Sequence, residues 1–368
     1  MASGEIMSAS TAFDPHLARD ANEVIHNLAD RNHRFAGKTI LLTGASGFLG
    51  SQFVHYFLRL NKSGLLEKPC RLIAWDNFSR GTPDWLVQLM AEHEFQVVKR
   101  DVIERAPFEH ADFVIHAASI ASPMYYRAHP IETMDANVQG LRNLLDDAVL
   151  RPVESFLYFS TSEIYGDPDP AQIPTPETYR GNVSCTGPRA CYDESKRYGE
   201  TLCVNFYRQH AVPVKIARPF NNYGPGLKIT DKRVLPDFFR DILTGRNIVL
   251  LSRGNATRTF CYVSDAITGY LLVLLSEHDG EAFNIGTEEP EISMEDLAQA
   301  AIATSGKDLS IEFKQSSDPQ YLTDNPQRRC PTIAKARQLL GYAPHVSLEE
   351  GLHRTYEYYK DHYEAEEA

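Results

Sequence analysis

Positive charge is in short supply in this chain: 37 Lys and Arg stand against 49 Asp and Glu, a formal balance of −12. Such a surface repels phosphate backbones, which argues against a nucleic-acid partner, although a local Arg cluster can still hold a small anion. Long apolar runs are missing, and the start MASGEIMSAS has neither a basic nor an apolar leader region. The expectation is therefore a cytoplasmic protein with no membrane partner. The six cysteines (70, 185, 191, 203, 261 and 330) form no CxxC pair, so reduced, buried thiols are expected instead of a disulfide framework. There is no HExxH or EF-hand pattern, and no metal is assigned.

What is present describes an ordinary globular chain. At 368 residues, with 43% apolar and 23% charged residues, it has room for one or two interlocked domains. Asp14-Pro15 is a helix start, and Leu17, Ala21, Val24 and Leu28 recur at helical spacing, so residues 14–31 read as an extra helix. That helix can cap a core edge or meet another subunit. From Lys38 the runs KTILLT, RLIAWD, FQVVK, DFVIH, SFLYFS and VPVKIA alternate with helical stretches such as DANVQGLRNLLDDAV. Near-continuous apolar runs of this length suit parallel strands buried on both faces, and the alternation means an α/β fold with a doubly wound, Rossmann-type sheet. After Arg218 the rhythm loosens into shorter strands (NIVLL, TFCYV, AFNIG) and helices at 293–305 and 332–340. The expected division is a helical extension at 1–36, a dinucleotide-binding domain at 37–220 with 258–290 returning to it, a smaller α/β substrate lobe at 221–257 and 291–360, and a tail at 361–368.

The first strand runs into TGASGFLGSQFVHYFL, where Gly44, Gly47 and Gly50 open an amphipathic helix. Glycine permits the tight turn and lets backbone N–H groups approach a pyrophosphate at the positive end of the helix dipole. The spacing departs from G-x-G-x-x-G, but its place between a strand and a helix strengthens the signal. Asp76 ends the second strand, where a carboxylate accepts hydrogen bonds from ribose hydroxyls and repels a 2′-phosphate; this favours NAD over NADP, with Arg80 tempering the preference. Asp101 is a candidate for the adenine and equally a turn residue. Ser46, Phe48, Leu49, Asn77, Val102 and Ala117 complete the expected cofactor contacts, the last within the small-residue strand end HAAS.

Tyr192 and Lys196 are four apart in a helical segment and so share a face. A Tyr is a poor base near neutrality unless a cation stabilises its phenolate, which Lys196 is placed to do. Y-x-x-x-K alone recurs by chance; here it follows a Gly-rich turn, and Thr161 and Ser162 end a central strand, where α/β proteins bind ligands. Thr161 can hydrogen-bond the oxygen that Tyr192 deprotonates, although a strand-end turn also explains the hydroxyl pair.

These residues resemble the extended short-chain dehydrogenase/reductase superfamily and its NAD-dependent epimerase/dehydratase family. The resemblance spans roughly residues 38 to 358 and is greatest to the UDP-glucuronate decarboxylases, also called UDP-xylose synthases. STSEIYGDP, GPRACYDESKRYGET, ARPFNNYGPG, TRTFCYVSD and QRRCPTIAKARQLLGYAPHVSLEEGL carry it. It implies an enzyme that oxidises C4 of a nucleotide-linked uronic acid with Tyr192 and NAD, loses CO2 from the 4-keto acid and is reduced back at C4. Glu163 and Arg329 match positions implicated in decarboxylation and C5 protonation, with Arg328 an adjacent alternative to Arg329. Asn221 and Arg258 match diphosphate- or sugar-contacting positions, Arg233 in the substrate-lobe segment DKRVLPDFF is a further candidate phosphate contact, and Asn137 matches a helix position that supports the site. A homodimer through the helix bearing Tyr192 and the one before it is also implied.

Ser162-Glu163 stands where the 4,6-dehydratases carry Asp-Glu, and the 4-epimerases generally lack this Glu. A 4-epimerase or 4,6-dehydratase using the same C4 oxidation remains the alternative, and a non-catalytic NAD-binding scaffold the reading from another class. LLSRGNATRTF, KITDKR and Cys330 in RRCP depart from the family's usual loops, and residues 1–36 lie outside the resemblance.

Overall fold

The structure is a computed structural model that describes residues 13–316 and 323–363. The first twelve residues of the expected extension, and 364–368 of the expected tail, lie outside the described residues. Six apolar runs become strands: β1 (Thr39–Thr43), β2 (Arg71–Asp76), β3 (Phe95–Lys99), β4 (Phe113–His116), β5 (Ser155–Phe159) and β6 (Val214–Pro219). With the edge strand Ala282–Ile285 they form one seven-stranded sheet, in the order edge–β6–β5–β4–β1–β2–β3, every pairing parallel. β1 and β5 are buried almost throughout because helices cover both faces. Leu141, Leu144, Cys203 and Phe206, from the helices Leu141–Leu150 and Ala190–His210, pack on one face. Phe53, Phe57, Ile267 and Leu271 fill the other.

The chain leaves β1 toward β2 on one side and later returns to β4 on the other, which opens a crevice at the carboxyl ends of these strands. The Thr43 hydroxyl ties their ends, 2.8 Å from His116 Nδ1 and accepting from the Ala118 N–H at 3.3 Å. Helix α1 (Pro15–Leu28) starts at Asp14, whose carboxylate accepts from the His16 and Leu17 N–H groups. It is shorter than the expected 14–31, because a 3-10 turn takes over at Ala29. It lies against α2 (Phe48–Lys62) and the helix Val263–Leu274, so it caps the core of its own chain. His362 binds Asp14 at 2.6 Å, and Arg354 binds Glu23 at 2.9 Å, which staples α1 to the final helix Leu348–His362.

Two sequence expectations shift. TFCYV is a strand only at Cys261–Tyr262, since the Val263–Leu274 helix begins at once and is buried on all sides, which hides its period. Among the cysteines, Cys70, Cys203, Cys261 and Cys330 are buried free thiols, Cys191 is half-buried, and Cys185 is exposed. Beyond the sheet, short pairings knit distant segments together: Ile248–Leu250 with Ile311–Phe313, and Thr257–Arg258 between Ile292–Ser293 and Arg328–Arg329. Among the described residues no helix is long and apolar enough to cross a membrane.

Candidate active site

A cleft of about 1400 Å³ lies over the strand ends. On its sheet side Gly44 has φ +74°, and a side-chain carbon there would meet Ala118 at 2.7 Å. At Gly50 the same carbon would strike the Gly44 carbonyl oxygen at 2.0 Å, so α2 can sit this close to β1 only with glycine. Gly47, the N-cap of α2, meets only that carbonyl, at 3.3 Å, and turns its open side to the cleft with no side chain capping the helix. Uncapped N–H donors on a bare glycine turn fit a dinucleotide pyrophosphate. The Asp76 carboxylate accepts from the Ser46 and Phe78 N–H groups at 2.9 and 2.8 Å, which holds it at the cleft wall. Asn77 donates to Asp101 at 2.8 Å. Phe48, Leu49, Val102 and Ala117 line the same wall.

Arg80 turns away from this end. Its guanidinium lies 4.5 Å from the Tyr125 ring and 3.0 Å from Asp231, which also holds Arg233 at 2.9 Å. A cation drawn toward Asp231 is less available to a 2′-phosphate, in line with the preference drawn from Asp76 for NAD.

Tyr192 and Lys196 lie on the buried face of the Ala190–His210 helix. Burial pushes the Tyr192 phenol up to about 12, opposed by a hydrogen bond with the Thr161 hydroxyl. Thr161 also accepts from the Glu163 N–H at 3.2 Å, so it is at once a turn residue and a neighbour of the phenol. Burial pushes Lys196 down to about 7. Its Nζ donates to the Phe159 carbonyl at 2.7 Å and lies 5.9 Å from the centre of the Tyr192 ring, so it acts on the phenol through space and not by direct contact. The helix is held by a relay: the Ser119 hydroxyl donates to Asn137, Asn137 donates to Ser195, and Ser195 donates to the Tyr192 carbonyl. Asn137 sits in a π-turn at Ala136–Gly140, an irregularity typical of functional sites.

Glu163, on the 3-10 turn Ser162–Tyr165 after β5, lies between two guanidinia. Arg329 Nη2 donates to its Oε2 at 2.6 Å, and Arg189 Nη2 donates to the same oxygen at 2.5 Å. Burial would push this carboxyl up, but Arg189 and Arg329 bring it down to about 2. Arg329 Nη1 is 3.5 Å from Asn221 Oδ1. Arg328, itself exposed, points the other way and pairs with Glu291, as neighbouring residues on a strand must. Arg258 donates to the carbonyls of Thr257, Pro326 and Gln327, which braces the 325–327 segment against the cleft.

Apart from Arg328, the alternative to Arg329, the structure thus brings every residue singled out for catalysis, cofactor or substrate onto one cleft, Ser162 included. Three residues at the cleft or directly behind its wall were missed. Arg189 precedes Tyr192 by three positions and reads in sequence as a loop charge before a helix. Tyr126 stacks on Tyr192 with ring centres 4.9 Å apart and planes at 6°. Asp193 is a buried carboxyl that burial and Glu163 push up to about 8. Spacing signals none of the three.

Residues 40–286 match the NAD dependent epimerase/dehydratase family. The chain is 37% identical over 324 residues to UDP-glucuronic acid decarboxylase 5 of Arabidopsis thaliana, covering 88% of this chain and 90% of the relative. It is 37% identical to UDP-glucuronic acid decarboxylase 1 of Xenopus tropicalis, over 88% of this chain and 72% of the relative. A solved structure of a UDP-glucuronic acid 4-epimerase mutant from Bacillus cereus, in complex with UDP-4-deoxy-4-fluoro-glucuronic acid and NAD, superposes with a TM-score of 0.74 at 26% identity. It covers 88% of this chain and 100% of that one.

Proposed function

This chain belongs to the NAD dependent epimerase/dehydratase family, and from that premise we propose that it decarboxylates a nucleotide-linked uronic acid, converting UDP-glucuronate to UDP-xylose and CO2. The observation that carries the reading is the placement of Glu163 between Arg189 and Arg329, on the same cleft as the Tyr192–Thr161 pair. A group that handles a carboxylate there adjoins one that handles a hydroxyl.

NAD, when bound, supplies the hydride acceptor for C4 and later the donor. Tyr192, with Thr161 on its oxygen, takes the C4 hydroxyl proton and returns it. Lys196 favours the phenolate by its charge. The C4 ketone makes the sugar a β-keto acid, so the electrons of the bond to the carboxylate drain into the carbonyl as CO2 leaves. One proton is then consumed at C5. Glu163, held ionised at about 2, is a poor donor of its own proton; it orients the water that delivers one. Asn221, Arg233 and Arg258 are assigned to the nucleotide sugar, with the segments 221–257 and 291–360 as its lobe. The dinucleotide-binding domain is assigned to 37–220 with 258–290, residues 1–36 form an extension and 361–368 a tail. The chain is assigned to a homodimer through the helices Leu141–Leu150 and Ala190–His210.

Incubation with UDP-glucuronate and NAD, followed by mass spectrometry, tests the activity. The expected product has lost one CO2, with no net build-up of reduced cofactor over many turnovers. A product of unchanged mass with inverted C4 would make the protein a 4-epimerase instead, and no turnover of several nucleotide uronates would reject the substrate class.

A further inference from the structure

Arg189 is the N-cap residue of the helix that carries Tyr192. From there its guanidinium reaches into the cleft wall, 5.9 Å from the centre of the Tyr126 ring. Tyr126 in turn lies parallel against Tyr192. Arginine, Tyr126 and reactive phenol therefore form one stack of fixed offset. Across the cleft, Arg329 arrives from a segment 166 residues after Glu163, yet its Nη2 meets the same Glu163 oxygen as Arg189 Nη2.

We infer that Arg189 and Arg329 form a two-guanidinium clamp for the carboxylate of the bound sugar, with Glu163 as the internal competitor for that clamp. The inference rests on the uronate reading above and deepens it, by naming the residue that separates uronates from neutral sugars.

Two observations beyond the shared oxygen support it. Both Nε–H groups, of Arg189 and of Arg329, are buried with no acceptor. A guanidinium presents five donors in a fork suited to a bidentate carboxylate, and a single oxygen of Glu163 leaves both forks under-used. Three guanidinia also converge here: Arg258, like Arg189 and Arg329, is largely buried and lies within electrostatic reach of Glu163. Guanidinia gathered in this way suit an anion.

The competitor has a chemical purpose. A carboxylate held by two unshared guanidinia is stabilised before reaction, whereas departing CO2 carries no charge, so a tighter clamp would slow its loss. Sharing the guanidinia with Glu163 binds the carboxylate without holding it back. Arg189 thus acts chiefly on binding, and its loss falls on KM more than on kcat.

Calorimetric titration of the full chain, loaded with NAD, tests this with UDP-glucuronate and UDP-xylose as ligands that differ by the carboxylate. Arg189→Met is expected to weaken UDP-glucuronate by about 10- to 100-fold, the size of a lost charge-assisted hydrogen bond. UDP-xylose binding is expected to stay close to wild type. Arg189→Lys should recover part of the loss, and Glu163→Gln should tighten UDP-glucuronate while lowering kcat. Equal weakening of both ligands by Arg189→Met, a fall in kcat with KM unchanged, or no tightening in Glu163→Gln would each overturn the clamp. A wild-type enzyme that ignores UDP-glucuronate would instead sink the uronate reading itself.

Discussion

Lys196 occupies a position that works against its own charge. Burial pushes it down to about 7 from a reference of 10.5, so in the folded chain it gives up its proton some units earlier than in the unfolded one. Between those two values the unfolded state binds more protons, and stability therefore rises with pH across that window. Below about 7 the buried cation opposes folding in full. Lys196→Met should then raise Tm most at pH 6 to 7, with the advantage shrinking as pH approaches 10, while activity is lost. Its lost bond to the Phe159 carbonyl adds an offset that does not vary with pH. Paired thermal melts across pH check this, and a Tm difference independent of pH would show that the lysine is not held near 7. Such a trade of stability for chemistry is common at reactive sites.

At the scale of elements, the approach of α2 to β1 depends on Gly50. A methyl there would meet the Gly44 carbonyl oxygen at 2.0 Å and Ala45 at 2.8 Å, both backbone, so the helix must move. Gly47 faces the cleft instead, with one contact at 3.3 Å. Gly50→Ala should therefore lower Tm and weaken NAD binding, whereas Gly47→Ala should leave Tm close to wild type and weaken NAD alone. Melting curves with and without NAD separate the two, and equal loss of stability would refute the division of labour. Sequence spacing made all three glycines look alike; the backbone contacts give each a separate task.

The whole molecule presents an acidic chain that nevertheless gathers Arg189, Arg258 and Arg329 at one cleft. The outer face of the Ala190–His210 and Leu141–Leu150 helices leaves apolar side chains open to solvent, with Tyr198 51% and Leu150 75% exposed. Paired helices of two copies would cover them. Sedimentation velocity should show a dimer at micromolar concentration, and Tyr198→Glu with Leu150→Glu should shift it toward monomer. A wild-type monomer at that concentration would remove the dimer assignment.

The sequence by itself determined the parallel sheet, the glycine turn, Asp76 and the Tyr192–Lys196 pair. All of these rest on local signals: apolar runs of strand length, a turn between strand and helix, and residues one helical turn apart. It did not show the buried Val263–Leu274 helix, because a helix apolar on every side has no stripe to detect. Nor did it show Arg189, Tyr126 or Asp193. Only the tertiary structure decided between Arg329, which enters the cleft, and Arg328, which pairs outside with Glu291, since the alternation of a two-residue strand has no register until its partner is known. The same folding brings Glu163, Arg189 and Arg329 to one carboxylate oxygen from three distant segments. Charge at a site is a sum over space, and the order of residues along the chain does not contain that sum.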